Sequence, residues 1–154
     1  MRELGRRVAA LLEPGDLVVL TGDLGAGKTT FTQGIGECLG VRGQVTSPTF
    51  VIARVHPSTT GGPPLVHVDA YRLSSIEEVD DLDLDATLAE SVTVVEWGEG
   101  LVEDLAADRL EVRLRRPRGD EDGEPPAGGG VEPRTLQLVG VGERWKGVAL
   151  PGAC

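Results

Sequence analysis

The stretch GDLGAGKT, residues 22–29, decides the fold of this chain. It fits the Walker A pattern G-x-x-x-x-G-K-[ST] at every fixed position. An apolar run precedes it at residues 17–20, and a helical pattern begins near Lys28 and ends at Gly40. Strand, glycine-rich loop and helix in this order predict an α/β protein with the P-loop NTPase fold. We expect a central mixed β-sheet flanked by helices, with antiparallel strands toward the C-terminus.

The residue types of this loop suit a nucleoside triphosphate. Glycines let backbone N–H groups turn toward a phosphate, and the start of the following helix adds partial positive charge. Lys28 is expected to neutralise β- and γ-phosphate oxygens, and the hydroxyl of Thr29 is a hard oxygen ligand for Mg²⁺. The chain has two lysines against thirteen arginines, so a lysine at this position indicates a specific role rather than a chance glycine-rich turn.

ATP is favoured over GTP as the nucleotide. GTPases normally read guanine with an Asn-Lys-x-Asp sequence, and this chain contains no asparagine. The cofactors that the sequence predicts are therefore ATP and Mg²⁺.

Two carboxylates follow apolar runs of strand type. Residues 65–68 lead into Asp69, and residues 92–95 lead into Glu96. In P-loop proteins a carboxylate at a strand end holds the Mg²⁺ shell, so one of the two is expected to complete the metal site while the other orients water. The pattern does not assign which is which. The alternative for Asp69 is an N-cap of the following turn, and the alternative for Trp97, beside Glu96, is a core residue.

Apolar periodicity and turn residues predict the remaining elements. In chain order they are an amphipathic helix at 2–13, a strand at 49–55, an acidic and weakly helical segment at 76–89, and two half-exposed antiparallel strands at 110–114 and 136–139. Acids, prolines and glycines at about 119–133 predict a flexible insertion, because this composition buries little apolar surface. Residues 1–154 are expected to form one P-loop ATPase domain.

The charge pattern argues against direct binding of nucleic acid. The formal net charge is -10, and no basic residue lies between Arg72 and Arg109, where twelve carboxylates occur. Cys38 and Cys154 do not make a disulfide framework and are expected to be free thiols. No apolar run is long enough to cross a bilayer and the first residues lack a signal-peptide pattern, so a cytoplasmic location is expected.

Four motifs together resemble a known family. The strings GDLGAGKTTFTQGIGECLG, VTSPTF, HVDAYRL and VVEWGE, in this order and spacing, resemble the bacterial TsaE (YjeE) family of ATPases of tRNA threonylcarbamoyladenosine biosynthesis. The likeness covers roughly residues 4–114. It implies a weak ATPase that assists the TsaB and TsaD proteins in placing threonylcarbamoyl on the adenosine beside the anticodon. By this resemblance the chain does not perform the transfer itself and meets tRNA only indirectly.

The resemblance also implies roles for individual residues. Thr29 and Glu96 would hold Mg²⁺, and Asp69 would be the Walker B-like acid that turnover needs; Asp69 and Glu96 both remain candidate metal ligands and, with Lys28, candidate catalytic residues. Ser47, Pro48 and Thr49 match a switch-like turn. The residues expected at the nucleotide are Asp23, Leu24, Gly25, Ala26, Gly27, Lys28, Thr29, Thr30, Thr49, Trp97 and Arg134.

Two other functions are compatible with the same loop. A P-loop small-molecule kinase would transfer the γ-phosphate to a metabolite, with Arg113, Arg115, Arg116 and Arg118 closing as a lid. These arginines are otherwise an exposed basic strand end. A nucleotide switch that does not hydrolyse would bind ATP tightly and show no turnover even with its partners present.

Overall fold

A six-stranded sheet organises the protein. The structure, a computed structural model, describes residues 2–22, 27–43, 53–69, 89–96, 108–115 and 135–150. The helices are α1 (Arg2–Ala9) and α2 (Lys28–Leu39), followed near the C-terminus by a 3-10 helix (Glu143–Trp145). The strands are β1 (Leu17–Gly22), β2 (Ala53–His56), β3 (Leu65–Asp69), β4 (Val92–Glu96), β5 (Arg109–Arg115) and β6 (Thr135–Val141).

The strands run in the order β2-β3-β4-β1-β5-β6. β3, β4, β1 and β5 are parallel, whereas β2 and β6 are antiparallel to their neighbours at the two edges. The prediction of a mixed sheet that ends in an antiparallel pair is confirmed. β5 was expected only as the partner of β6, but it also pairs in parallel with β1 and so lies inside the sheet. Its predicted alternation is kept, since Leu110, Val112 and Leu114 are buried on one face.

Both faces of β1, β3 and β4 are buried, whereas β5 keeps one half-buried face. On one face Val18 and Leu20 of β1 belong to a core that includes Phe31 and Ile35 of α2. On the opposite face Val19 is also buried. Parallel strands normally bury both faces, and this explains why these three strands read as continuous aliphatic runs rather than alternating ones.

The two helices touch backbone to backbone through a pair of glycines. A Cβ added to Gly5 would lie 2.1 Å from the carbonyl oxygen of Phe31, and one added to Gly34 would lie 2.0 Å from the carbonyl oxygen of Arg2. Only glycine allows this approach, because any side chain would overlap with the neighbouring main chain. This contact fixes the position of α2, including its first turn, against α1.

The first helix is shorter than predicted. It ends at Ala9 rather than at residue 13, because the next turn tightens: the N–H of Leu11 donates to Val8 O at 2.9 Å and that of Leu12 to Ala9 O at 3.1 Å. Such three-residue bonds are of the 3-10 type and commonly end helices. The end of α2 is as predicted, since Gly40 adopts the left-handed conformation (φ 67°) and caps the helix.

An arginine near the C-terminus anchors the turn that leads into β1. Arg144 Nη2 donates to Leu11 O at 2.7 Å and lies 3.1 Å from Asp16 Oδ2. Asp16 is buried and also accepts from the N–H of Glu13. The half-buried ion pair therefore joins the segment after β6 to the approach to the central strand.

Several predicted segments lie outside the described residues. The strand expected at 49–55 is described only in part, as β2. The acidic segment at 76–88 and the insertion at 119–133 are not described. None of the helices in the described ranges has the length and apolar character needed to cross a membrane.

Candidate functional site

The ends of three neighbouring strands meet where the glycine-rich loop begins. In the register of the sheet, Leu20 of β1 pairs with Glu96 of β4, and Glu96 pairs with Asp69 of β3. Parallel strands place their carboxyl ends at the same edge, and ligands of open α/β sheets bind outside that edge. The sheet therefore brings both predicted carboxylate positions beside the end of β1.

The start of α2 is unusual for a helix. Gly27 is its N-cap, in the left-handed conformation (φ 104°, ψ 18°) that favours glycine, and the N–H of Phe31 donates to Gly27 O at 2.9 Å. Helices usually begin with Ser, Thr, Asp or Asn at the cap and with acids in the first turn. This one begins with glycine and Lys28 and has no acid in its first turn. Its partial positive charge is therefore not met by its own side chains, and this suits an anion.

Lys28 points back toward the strand that precedes the loop. Its side chain is buried, with 7% of the residue exposed, and its Nζ donates to Gly22 O at 2.7 Å. A buried lysine is rare in proteins. The ammonium group thus lies between the end of β1 and the start of α2.

The threonines of α2 are not equivalent. Thr32 is fully buried, and its hydroxyl donates to the carbonyl oxygen of Lys28 at 2.9 Å within the helix. Thr29 and Thr30 are half-buried in the first turn. The hydroxyl that the Walker A pattern offers to a metal is therefore on a residue next to Lys28 and partly open to solvent.

Glu96 carries a buried carboxylate at the same edge. Only 3% of the residue is exposed, and its Oε1 has no hydrogen-bond partner within the described part of the chain. The ring of His67 lies beside this oxygen, with its Nε2 3.3 Å from Oε1. A buried carboxylate oxygen without a hydrogen bond is costly, and this favours a ligand role for Glu96.

His67 was not among the residues predicted from the sequence. It is fully buried in β3, two residues before Asp69, and it was read only as part of an apolar strand. A polar residue inside a strand whose neighbours are Val and Leu was the available signal. Its partner on β4 could be found only once the register of the two strands was known.

These residues fit a magnesium site. Hydroxyl and carboxylate oxygens, as on Thr29 and Glu96, are the ligands that Mg²⁺ prefers, and Mg²⁺ usually takes one or two protein ligands together with phosphate oxygens and water. Among the residues that the structure describes, no group of three or more His, Cys, Asp and Glu side chains could hold a metal by itself. A metal at this site would take its remaining ligands from phosphate and water.

Other predicted nucleotide contacts fall on undescribed residues and stay predictions. They are Asp23, Leu24, Gly25, Ala26, Thr49, Trp97 and Arg134. Of the arginines considered for a kinase lid, Arg113 lies in β5 with its Nη2 3.3 Å from Glu111 Oε2. Arg115 is the last residue of that strand, and the other two are outside the described ranges.

The sheet order, the glycine-capped helix after the central strand and the strand-end acids define the P-loop NTPase fold. The crystal structure of Bacillus subtilis YdiB superposes with a TM-score of 0.64 and 32% sequence identity, covering 94% of this chain and 80% of that chain. A family model, the threonylcarbamoyl adenosine biosynthesis protein TsaE, matches residues 1–122. The chain belongs to the TsaE family, as its four motifs predicted.

Curated relatives extend the match over most of the chain. A Streptomyces coelicolor protein described as tRNA threonylcarbamoyladenosine biosynthesis protein TsaE is 63% identical over 146 residues, which is 94% of this chain and 93% of that protein. Proteins with the same description from Bacillus subtilis and Mycobacterium tuberculosis are 41% and 52% identical. The match to the Bacillus subtilis protein covers 94% of this chain and 82% of that protein. The match to the Mycobacterium tuberculosis protein covers 73% of this chain and 71% of that protein.

Proposed function

We propose that this protein is a weak Mg·ATP-dependent ATPase of tRNA threonylcarbamoyladenosine biosynthesis. In this role it assists the TsaB and TsaD proteins, which attach threonylcarbamoyl to the adenosine beside the anticodon, and it does not perform the transfer. It acts in the cytoplasm. The names of its relatives, and its membership of the TsaE family, support the pathway.

One observation carries the nucleotide part of the proposal. The buried Nζ of Lys28 is held at the start of a helix that has a glycine cap and no acid in its first turn. A positive side chain at the positive end of a helix is unfavourable by itself. An anion at this position would balance the positive charge of both the ammonium group and the helix start, so the arrangement supports phosphate binding.

The proposed hydrolysis assigns a task to each residue at the edge of the sheet. Water attacks the γ-phosphorus of ATP, the bond from that phosphorus to the oxygen shared with the β-phosphate breaks, and ADP and inorganic phosphate leave with the water's proton on the phosphate. Lys28 neutralises β- and γ-oxygens, and Asp69 orients the water. Thr29 and Glu96 hold Mg²⁺, which when bound supplies further positive charge to those oxygens.

The charge of the chain supports an indirect role on tRNA. A formal charge of -10 opposes binding to a phosphate backbone unless other proteins supply the contacts. TsaB and TsaD would supply them, so the chain needs a protein surface rather than a nucleic-acid one.

The test is threonylcarbamoyl transfer over several catalytic cycles with purified TsaB, TsaD, tRNA and a preformed threonylcarbamoyl donor. We expect transfer to continue past the first cycle only when this chain and ATP are both present. Lys28→Ala protein should behave like no addition, and so should a non-hydrolysable ATP analogue. Continued transfer at the same rate without the chain would contradict the proposal.

The same experiment separates the other two functions. Radiolabelled γ-phosphate that appears on a small acceptor instead of as inorganic phosphate would indicate a kinase. Transfer that proceeds equally well with the non-hydrolysable analogue would indicate a switch whose bound shape is sufficient.

A further inference from the structure

His67 and Glu96 form a buried polar pair whose histidine has no task in the proposed hydrolysis. His67 is fully buried and Glu96 is 3% exposed. The Nε2 of the ring lies 3.3 Å from Oε1 of the carboxylate, but it is not aligned as a hydrogen bond. Neither ring nitrogen has a hydrogen-bond partner in the described ranges, and neither does Oε1.

The pair lies on the face of the sheet that packs against the two helices. His67 pairs in register with Val94, and Val94 belongs to the core that contains Phe31 of α2. Glu96 is two residues further along β4, on the same face, because successive side chains of a strand alternate. The imidazole therefore lies on the core side of the carboxylate, away from the open edge where the loop begins.

The chemistry of the two groups is complementary. An ionised carboxylate only accepts hydrogen bonds, and a neutral imidazole with its proton on Nε2 donates one. Buried polar atoms are nearly always hydrogen-bonded, so Nε2 and Oε1, which are 3.3 Å apart and have no other partner in the described ranges, gain most by pairing with each other. Hydrogen bonds at catalytic sites are often long or poorly aligned before the ligand binds and tighten afterwards.

We propose that His67 is a positioning residue that donates a hydrogen bond from Nε2 to Oε1 of Glu96 and so fixes the carboxylate, leaving its other oxygen for Mg²⁺. The inference rests on the proposed function, since it gives Glu96 a metal. Ligating carboxylates are usually held by such a second hydrogen bond, and loss of it typically lowers metal affinity or activity about 10- to 100-fold.

A matched pair of variants tests the donor. His67→Gln keeps an N–H donor on a side chain that can reach Glu96, and His67→Met has nearly the same length and shape without a donor. His56→Met is the control, because His56 is the other buried histidine of the chain and makes no ion pair with a carboxylate within the described residues. Urea unfolding of all three establishes that they are folded.

The first measurement is the Mg²⁺ concentration that gives half-maximal binding of a fluorescent ATP analogue. We expect His67→Met to raise it about 10- to 100-fold, while His67→Gln and His56→Met stay within about threefold of wild type. Binding of the analogue in EDTA should not change. ATP turnover with TsaB and TsaD should fall in His67→Met and recover in His67→Gln. Equal values for His67→Met and wild type, or for His67→Met and His67→Gln, would overturn the inference.

A second measurement does not depend on variants. The ¹⁵N spectrum of the wild-type histidines shows which ring nitrogen carries the proton, and we expect a proton on Nε2 of His67. A proton on Nδ1 alone would overturn the inference. Wild-type protein that binds no Mg·ATP would instead overturn the proposed function and this inference with it, so the two failures are distinguishable.

Discussion

The Nζ of Lys28 donates a hydrogen bond to the carbonyl oxygen of Gly22, 2.7 Å away. This bond ties the first residue of α2 to the last residue of β1 across the loop that joins them. A lysine in this position is held extended and partly free of water before any ligand arrives. Less side-chain entropy is then lost when a phosphate binds, and this pre-organisation favours tight binding.

Lys28→Ala should reduce the affinity for Mg·ATP by at least about 100-fold, because two charged hydrogen bonds of about 1.5–3 kcal/mol each are lost. Isothermal titration calorimetry measures this directly. Lys146→Ala is the control, because the only other lysine of the chain is exposed and pairs with Glu143. Equal affinities for Mg·ATP in wild type and Lys28→Ala would contradict the proposal that Lys28 binds the phosphates.

Asp69→Asn and Glu96→Gln should lower hydrolysis more than nucleotide binding. We expect turnover with TsaB and TsaD to fall at least about 100-fold, with affinity for metal-free ATP within about threefold, because both carboxylates act on the metal or the water. Glu111→Gln is the matched control, since this half-buried carboxylate of β5 pairs with Arg109 and Arg113 instead. Unchanged phosphate release in either strand-end variant would refute its role.

Gly34→Ala should destabilise the fold by at least about 2 kcal/mol, although alanine normally favours a helix. The new Cβ would overlap with the carbonyl oxygen of Arg2, so α1 and α2 must move apart. Urea unfolding gives the change in free energy. Gly62→Ala serves as the comparison, because its Cβ would meet only Ser58 and Thr60 hydroxyls at 3.8 Å and should change stability by less than about 0.5 kcal/mol. Similar stability of the two variants would mean that the helices do not cross at this glycine.

His56 should make stability depend on pH. Its burial lowers its pKa below the ordinary value of 6.5, and electrostatic repulsion by the neighbouring His67 and Arg54 side chains lowers the pKa further, while a backbone hydrogen bond with Arg42 opposes them. The unfolded chain therefore binds the proton first as the pH falls. The stabilisation is present above pH 6.5 and is lost below it, by at most about 1.4 kcal/mol for each pH unit.

The measurement is urea unfolding of wild type and His56→Phe at about pH 7.5 and about pH 5.5, on either side of the ordinary histidine value. We expect the wild type to lose more stability than the variant on acidification, by no more than about 1.4 kcal/mol. The variant corrects for the many carboxylates, which titrate in both proteins. The same loss in both would show that His56 does not titrate differently on folding.

Much of the site was predictable because its signals are local. The glycine that caps α2, the rare Lys28 and the apolar runs that end in Asp69 and Glu96 all follow from short-range pattern, and the structure places these strands and this helix start together. The parallel pairing of β5 with β1 was not predicted. A strand pattern gives the burial of alternate residues but not the identity of the neighbouring strand.

His67 shows the same limit at the level of one side chain. Its sequence context, LVHVD, is that of a buried strand, and it does not indicate a partner on another strand. The partner comes from β4. The register of β4 with β3 places Glu96 two residues beyond the position opposite His67. The early end of α1 was not predicted because Leu11 and Leu12 keep the helical spacing of apolar residues. Only their backbone hydrogen bonds, which reach back three residues instead of four, show that the α-helix has ended.

The central position of β1 has a consequence for the order in which the protein assembles. Leu17 of β1 pairs with Thr93 of β4, and Val18 pairs with Leu110 of β5. Both strands that flank β1 are therefore synthesised long after it. Pairings this far apart in the chain form slowly, because a large loop must close first. A nascent polypeptide still short of β5 has only one of the two strands that flank β1, so the frame on which the glycine-rich loop rests is completed only after β5 has been made.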